Sequence, residues 1–373
     1  MRGASLRTRC PGGGSIADLF EYLKWRGDLT FDAVGVNPVD GLIFSALSYI
    51  SYDGLVRSGF ENPVPLKVVA EAFAALPDQE DRVLLKNDGP LLIACGKTER
   101  YGQVKMVFYR SETVPEQESQ FAAVAFLLPG DLAVLAFRGT DATLVGWKED
   151  FNMSFQDRVP AQEKALYYTQ MFARMHDRDL ILCGHSKGGN LAVYAASRCP
   201  GEIQDRIRAV YNNDGPGFNA SLMGDPGYKA MVPRIHSYVP QSSVVGLLLE
   251  HEEPFTVIKS RQISILQHDQ YTWEVLGGDF VRVEGLTQDS KFINRTMHQW
   301  LEDKSLEERN DFVESLFSLL GTGNVDDARD IILPWNVLNY VRTLSEDPHI
   351  RRTIGSCLLD LIRAAAKLRK TGQ

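Results

Sequence analysis

The first part of the chain has the hydrophobic pattern of amphipathic helices. Between residues 16 and 76, apolar residues recur at three- and four-residue steps, as they do on the buried face of a helix. The pattern predicts three helices, at 16–25, 39–50 and 66–76. A basic, glycine-rich stretch at 1–14 precedes them, and we expect it to be a flexible tail.

The middle of the chain alternates between short apolar runs and helical patterns. Three runs come first, and a Pro-Gly-Asp turn at 129–131 joins the second to the third. The predicted strands are 104–109, 121–128, 132–137, 179–183, 206–212, 234–239 and 255–259, and the helices between them are 161–175 and 187–198. Strand–helix–strand alternation at this spacing requires a mostly parallel sheet with helices on both faces. The predicted fold class is therefore α/β.

The last part of the chain contains only helical patterns. Ser305 begins a capping box at the start of one helix, and Gly321 is placed to end that helix. Residues 350–370 have the pattern of another helix, with basic residues at its end, where cations suit the helix dipole. We therefore expect residues 15–285 to form one core that includes the N-terminal helices, and 286–373 to form a helical extension.

Composition excludes several classes of function. The 373 residues include 40 Lys+Arg and 48 Asp+Glu, and this net charge of -8 provides no basic surface for the phosphates of a nucleic acid. No apolar run approaches the ~20 residues that a membrane-spanning helix needs. The five cysteines are scattered, without a C-x-x-C pair, which predicts neither a disulfide framework nor a zinc site. We expect a cytoplasmic protein without metal or cofactor, and the sequence leaves its oligomeric state open.

Residues with catalytic potential concentrate at 184–188, where the sequence reads G-H-S-K-G. The motif lies between an apolar run and a helical pattern rich in small residues. A turn of this kind between a strand and a helix raises a serine hydroxyl above the edge of a sheet, and it needs glycines because the neighbouring backbone is crowded. Ser186 is therefore the predicted nucleophile. A glycine-rich turn that serves packing alone is the alternative interpretation.

Further motifs carry a family resemblance. F-R-G-T at 137–140 closes a predicted strand, and W-x-x-D follows at 147–150. Together with G-H-S-x-G-G at 184–189, these motifs resemble the class 3, fungal-type lipases of the α/β-hydrolase fold. Four motifs are similar to a largely uncharacterised bacterial, lipase-like branch of that group: W-R-G-D at 25–28, G-W-K-E-D-F-N-M-S at 146–154, N-D-G-P-G-F at 213–218 and V-P-Q-S-S at 239–243. The resemblance covers about residues 15–285 and implies a mostly parallel central sheet flanked by helices.

The resemblance also implies an oxyanion hole. In class 3 lipases the residue after R-G supplies one donor, and here that residue is Thr140. The residue after the nucleophile supplies the second donor through its backbone N–H, and here that residue is Lys187. Two donors aimed at one point stabilise the anion of a tetrahedral intermediate. Segment 151–160 follows at the place where these lipases carry a lid, and a lid and ordinary loop packing both remain open.

The general base has to be a histidine, because α/β hydrolases order their triad as serine, acid and histidine along the chain. His268 follows the strand predicted at 255–259, where the loop after the last strand is expected to deliver the base. Class 3 lipases likewise carry their histidine on a late loop with an aromatic residue soon after it. His251, in an acidic loop, is the alternative. His236 is expected to point from a strand into the packing.

The acid is the point at which the chain departs from the class 3 pattern. Those lipases carry an aspartate in a D-x-V-P-like segment, whereas this chain reads H-S-Y-V-P at 236–240, without a carboxylate. Asp214 follows the strand predicted one step earlier, where some α/β hydrolases place their acid. Two alternatives to Asp214 as the acid remain. In one, Asp214 serves only to form a turn. In the other, the site is a dyad in which Gln241 or Ser242 accepts from the imidazole.

Together these residues predict a serine hydrolase that cleaves carboxylic esters through an acyl-enzyme intermediate. The candidate substrates are small-molecule acyl esters or lipids. The missing acid motivates a different hypothesis, a catalytically idle α/β-hydrolase domain that acts as a binding or scaffold module. A peptidase or thioesterase with the same triad is a third hypothesis, because a sequence does not show the shape of a pocket.

Overall fold

The computed structural model of the protein describes residues 17–140, 144–153, 156, 158–322 and 334–371. The tail predicted at 1–14 lies outside these ranges, as do positions 154, 155 and 157 of segment 151–160. The described strands are β1 (Val64–Pro65), β2 (Lys105–Val114), β3 (Ser119–Leu127), β4 (Leu132–Phe137), β5 (Asp179–His185), β6 (Ile207–Asn213), β7 (Ile235–Pro240), β8 (Phe255–Ile258), β9 (Val275–Leu276) and β10 (Asp279–Phe280). The described helices are α1 (Leu19–Arg26), α2 (Pro38–Leu47), α3 (Leu66–Ala74), α4 (Asp88–Gly96), α5 (Glu99–Gly102), α6 (Leu144–Asn152), α7 (Pro160–Met175), α8 (Lys187–Arg198), α9 (Gly201–Gln204), α10 (Ala220–Met223), α11 (Pro226–Met231), α12 (Gln288–Glu302), α13 (Leu306–Gly321), α14 (Pro334–Glu346) and α15 (Pro348–Thr371).

In the described part of the chain, eight strands form the central sheet and lie in it in chain order, from β1 to β8. Strands β1 to β4 pair antiparallel, and short turns join β2 to β3 and β3 to β4. Strands β4 to β8 pair parallel, and α-helices form the crossovers between β4 and β7. The prediction of an α/β fold with a mostly parallel central sheet is confirmed.

Parallel pairing brings the carboxyl ends of β4, β5 and β6 to one edge of the sheet. Phe137 near the end of β4 pairs with Gly184 of β5. His185 at the end of β5 pairs with Asn213 at the end of β6. The loops that leave these strands therefore start side by side, which is the edge where open α/β sheets bind ligands.

Helices cover both faces of this sheet, as the alternating pattern predicts. Crossover helix α8 packs on β4, β5 and β6, and α7 packs on β3. The other face is covered by α2, which comes from the N-terminal part of the chain and packs on β4, β5 and β6. Helix α2 is apolar on nearly every side and fully buried beyond Pro38, as a helix between two layers must be.

A buried ion pair holds the N-terminal helices together. The Arg100 guanidinium lies 2.6 Å from Asp40 Oδ2, and both side chains are fully buried. The hydroxyls of Tyr22 and Tyr101 donate to the same carboxylate at 2.8 and 2.5 Å. The sequence pattern did not predict α4, whose nine residues include two glycines and a proline but bury Leu91 in the core.

Helices α12 and α13 of the C-terminal part contact the core. In α12, the hydroxyl of Ser290 donates to the Ser243 carbonyl at 2.6 Å. Helix α13 packs on α6, where the rings of Phe317 and Phe151 meet edge to face at 5.8 Å. Helix α13 has the predicted capping box at Ser305. Within the described ranges, no helix is both long enough and apolar enough to cross a membrane.

Candidate active site

Ser186 lies in the turn between β5 and α8, and its backbone is strained. Its φ of 58° and ψ of -135° fall in a region that residues other than glycine rarely adopt, at a cost of about 1–3 kcal/mol. The Ser186 N–H donates to the carbonyl of Asn213 at 3.0 Å, which joins the turn to the end of β6. Strained residues concentrate at functional sites, so this backbone agrees with the predicted nucleophile turn.

The glycines around the turn are required by close backbone approach. A Cβ atom on Gly184 would lie 2.1 Å from the backbone of Gly188, closer than any real contact. A Cβ atom on Gly139 would lie 2.1 Å from the hydroxyl of Tyr49 and 3.1 Å from Ser186 Cβ. The R-G-T segment after β4 therefore runs directly beside the predicted nucleophile.

The structure brings His268 and Asp214 together. His268 Nδ1 lies 2.6 Å from Asp214 Oδ2, and Asp214 is fully buried while a quarter of the His268 side chain is exposed. Ser243 Oγ donates to the other carboxylate oxygen at 2.5 Å. Because the carboxylate accepts from Nδ1–H, His268 Nε2 is left as the acceptor. Asp214 itself has a positive φ of 54°, which turns the chain sharply after β6.

His268 reaches the neighbourhood of Ser186 through His185. The rings of His185 and His268 lie with their centroids 4.5 Å apart and their planes tilted by 34°, and His185 directly precedes Ser186. In the part of the chain that the structure describes, no hydrogen bond joins Ser186 Oγ to His268. Catalytic hydrogen bonds of this kind often tighten only when substrate binds.

His185 holds the backbone of His268 in place. Burial, reinforced by the neighbouring His268, keeps the pKa of His185 well below its ordinary value, so its ring is neutral. Its Nε2 lies 2.8 Å from the His268 carbonyl, which can only accept, so Nε2 carries the proton. The Tyr49 hydroxyl then donates to Nδ1 at 3.0 Å. Neither contact was predicted from sequence.

The loop that carries His268 is anchored at further points. The Tyr271 hydroxyl donates to Asp88 at 2.7 Å, and burial raises the pKa of the Asp88 carboxyl to about 6. Trp273 is fully buried, and its indole N–H donates to the Gln267 carbonyl at 2.9 Å. These contacts restrain the backbone on the C-terminal side of the histidine.

The alternative histidines lie in other surroundings. His251 Nδ1 contacts Glu253 Oε1 at 3.1 Å, and Glu253 is itself buried beside Ser237 and Tyr228. His236 is exposed and its ring stacks on Tyr211, so the prediction that it points into the packing is wrong.

The alternative acceptors for the imidazole have other partners. Ser242 Oγ bonds to Thr287 Oγ1 at 3.2 Å. Asp269, which directly follows His268, is not one of these alternatives, and its side chain accepts from the backbone N–H of Tyr271 at 3.0 Å. Across the described ranges, neither Gln241 nor Ser242 hydrogen-bonds to the His268 ring, whose Nδ1 contacts Asp214.

Thr140 and Lys187, the implied oxyanion donors, lie at adjacent strand ends. Lys187 is the first residue of α8, so its backbone N–H is unpaired within the helix. The hydroxyl of Thr140 donates to Asp150 Oδ2 on α6. Burial raises the pKa of Asp150 to about 6, although the Lys187 ammonium opposes that rise.

The sequence interpretation overlooked a buried ion pair behind these donors. The Lys187 ammonium contacts Glu149 at 2.9 Å, and the two side chains are 1% and 0% exposed. The available signal was the presence of charged residues, Lys187 and Glu149, inside two motifs that otherwise belong to the core.

Among the described residues, no group of three or more His, Cys, Asp or Glu side chains is arranged to hold a metal ion.

Comparisons with known proteins cover about two thirds of the chain or less. The sequence model of the Mbeg1-like family matches residues 95–318, which is more than half of the 373 residues. Among curated proteins, no sequence matches the chain. A fungal lipase from a family with an unusual buried polar cluster is 16% identical over 66% of this chain and 84% of its own, with a TM-score of 0.40. A mutant form of MDLA from Penicillium cyclopium is 13% identical over 67% of this chain and 87% of its own, with a TM-score of 0.39.

Proposed function

The chain belongs to the Mbeg1-like family, and from the geometry of its site we propose that it is a serine hydrolase that cleaves carboxylic esters. One observation supports the proposal most directly. His268 Nδ1 and Asp214 Oδ2 are 2.6 Å apart, at the sheet edge that also holds the strained turn of Ser186. A serine, a buried carboxylate and a histidine, in this order along the chain, are the elements of a catalytic triad.

The proposed mechanism follows from the partners of each group. Ser186 Oγ attacks the ester carbonyl while His268 Nε2 takes its proton. The buried Asp214 carboxylate keeps the proton on Nδ1 and stabilises the imidazolium that forms. His268 then returns its proton to the leaving alcohol, and an acyl-enzyme remains. Water, deprotonated by the same imidazole, releases the acid.

Thr140 and Lys187 are the proposed oxyanion donors. The Lys187 N–H points out of the first turn of α8, where the helix dipole also favours negative charge. Asp150 accepts from the Thr140 hydroxyl and so restrains the rotation of that side chain. In this mechanism Asp150 positions a donor and does not touch the substrate.

Replacement of Asp150 with asparagine is expected to change the acidic limb of the pH–rate profile. The pKa of Asp150 is raised to about 6, so the carboxyl takes up a proton as the pH falls through that value. The neutral carboxyl accepts more weakly from Thr140 and loses its attraction to Lys187. Wild-type kcat/KM should therefore fall more steeply between pH 7 and pH 5 than that of Asp150→Asn. Profiles of ester hydrolysis that overlay after scaling would contradict the positioning role.

Exposed apolar side chains on the loop of His268 favour acyl substrates. Ile263 is 74% exposed and Leu266 is 59% exposed, although both precede the proposed base by only a few residues. Apolar surface beside a reactive group gains free energy when an alkyl chain covers it. We propose that these two residues contact the acyl chain of the substrate.

The double substitution Ile263→Ser/Leu266→Ser is expected to reduce activity on long acyl chains selectively. Loss of apolar contact should lower kcat/KM for a dodecanoyl ester about 5- to 30-fold. Hydrolysis of a butanoyl ester should stay within about twofold, since its short chain reaches less of this surface.

A matched control is Met175→Ser. Met175 is 58% exposed at the end of α7, just before β5 begins, so it lies at the opposite edge of the sheet. The Met175→Ser substitution should leave the dependence of kcat/KM on acyl-chain length unchanged. An equal loss on both esters in the loop variant would contradict the proposed acyl contact.

Reaction with a fluorophosphonate tests the proposal as a whole. The reagent phosphonylates only an activated serine, and peptide mass spectrometry locates the modified residue. We expect one equivalent on Ser186, together with turnover of acyl esters. Absence of labelling would favour an idle binding domain, and turnover of peptides without esters would favour a peptidase.

A further inference from the structure

We propose that the side chain of Lys187 is a positioning group that holds the two oxyanion donors at their working separation. This role is distinct from that of its backbone N–H, and the inference rests on the proposed hydrolase function. The two donors lie on separate loops, since Thr140 follows β4 and Lys187 follows β5. A link between the two loops is needed if their spacing is to stay constant.

The Lys187 ammonium is enclosed by acceptors. Its Nζ lies 2.9 Å from Glu149 Oε2, 3.1 Å from the Gln120 carbonyl and 3.2 Å from Gln120 Oε1. All three residues are at most 1% exposed. The Lys187 side chain therefore connects the turn of Ser186 to α6, through Glu149, and to the start of β3, through Gln120.

The Glu149 carboxylate also hydrogen-bonds to two neighbouring elements. Its Oε1 accepts from the Ala161 N–H at 2.9 Å, at the start of α7. Its Oε2 accepts from the Gln120 N–H at 3.1 Å. The carboxylate thus joins α6 to two other elements, and the position of α6 depends on it.

The next residue of α6 completes the link to Thr140. The Lys187 ammonium lies 3.8 Å from Asp150 Oδ1, while Asp150 Oδ2 accepts from the Thr140 hydroxyl. A single ammonium therefore contacts two successive carboxylates of α6, and one of them holds the first oxyanion donor. Its own backbone supplies the second donor.

Burial of an ion pair is a costly way to stabilise a fold. Apolar side chains of similar size in such places are often equally stabilising or better, because they need not be stripped of water. A Lys–Glu pair directly beside the nucleophile turn is therefore better explained by the geometry that it imposes on the site. Misplacement of a catalytic group by about 1 Å can lower a rate about 100-fold.

Lys187→Met tests the inference, because it keeps the length of the side chain and its backbone N–H but removes the ammonium. We expect kcat for a butanoyl ester to fall about 10- to 100-fold with KM changed less than about threefold. Affinity for an alkyl boronic acid, which forms a tetrahedral adduct with the serine, should fall by a similar factor. A merely structural residue would not move kcat and boronate affinity together.

Arg100→Met is the matched control. It also breaks a fully buried ion pair, with Asp40, but among the N-terminal helices. It should lower the melting temperature, yet leave kcat and boronate affinity close to wild type at temperatures where it stays folded.

Glu149→Gln provides a second, milder variant should Lys187→Met fail to fold. It keeps the shape of the side chain and an acceptor for one backbone N–H, and it should reproduce the loss of kcat. The double variant Lys187→Met/Glu149→Gln should lose less than the product of the single losses, because both singles break one link. Unchanged kcat and boronate affinity in these variants would overturn the inference. Failure of the wild type itself to react with a fluorophosphonate would instead overturn the proposed function.

Discussion

Ser186→Ala is expected to abolish labelling by a fluorophosphonate and to lower the rate of ester hydrolysis by about 10⁴- to 10⁶-fold. Both effects follow because alanine has no hydroxyl and therefore cannot form the covalent acyl-enzyme. The fold should be unaffected, because alanine also has a Cβ atom, so the strain at φ 58° is the same in the variant as in the wild type. Residual hydrolysis would come from the oxyanion donors and from substrate binding alone. Single-turnover ester hydrolysis and the circular dichroism of the variant are the measurements.

Ser221→Ala is the control for this result. Ser221 is exposed, at the start of the crossover between β6 and β7, and its hydroxyl donates to Asn219. The Ser221→Ala variant should be labelled by the fluorophosphonate to the same extent as the wild type. Equal labelling of wild type and Ser186→Ala would remove Ser186 from the mechanism, and a different modified serine would identify its replacement.

Asp214→Asn should lower kcat by about 10³- to 10⁴-fold with little change in KM. The Asp214 carboxylate accepts from His268 Nδ1 at 2.6 Å and from Ser243 Oγ at 2.5 Å. An amide in its place neither stabilises the imidazolium nor enforces the tautomer that leaves Nε2 free to accept. The variant should still react with a fluorophosphonate, but at a rate reduced by a comparable factor. Steady-state kinetics with a soluble ester measure the effect.

Asp269→Asn makes the same chemical change beside the same histidine. Its side chain accepts from the Tyr271 N–H, a role that asparagine also performs. The rate should stay within about threefold of wild type. If instead Asp214→Asn retained wild-type kcat, the acid assignment would be wrong, and a dyad or an idle domain would regain support.

The pattern of the chain predicted most of the central sheet. Strand β4 has the predicted bounds, and β5 to β8 lie within two residues of theirs. These strands are short apolar runs bounded by turn residues, so local sequence suffices to define them. The Mbeg1-like match also agrees with the lipase-like resemblance found in the motifs. The division of the chain at residue 285 stays a prediction.

The sequence was less informative where a contact depends on distant parts of the chain. It left Asp214 undecided between an acid and a turn residue, because the partner lies 54 positions away. The Lys187–Glu149 pair spans 38 positions, and the bond between Tyr49 and His185 spans 136. No periodicity or motif spacing records such a pairing.

The sequence alone therefore determined the α/β class, and it predicted Ser186 as the nucleophile and His268 as the base. Each of these follows from local features, namely apolar periodicity, glycine spacing and the order of residues along the chain. Only the tertiary structure decided that α2 covers the second face of the sheet and that Asp214 meets His268. Parallel pairing from β6 to β8 brings the loops of Asp214 and His268 to one edge of the sheet. Helix α2 covers the face because its apolar residues are buried against β4, β5 and β6.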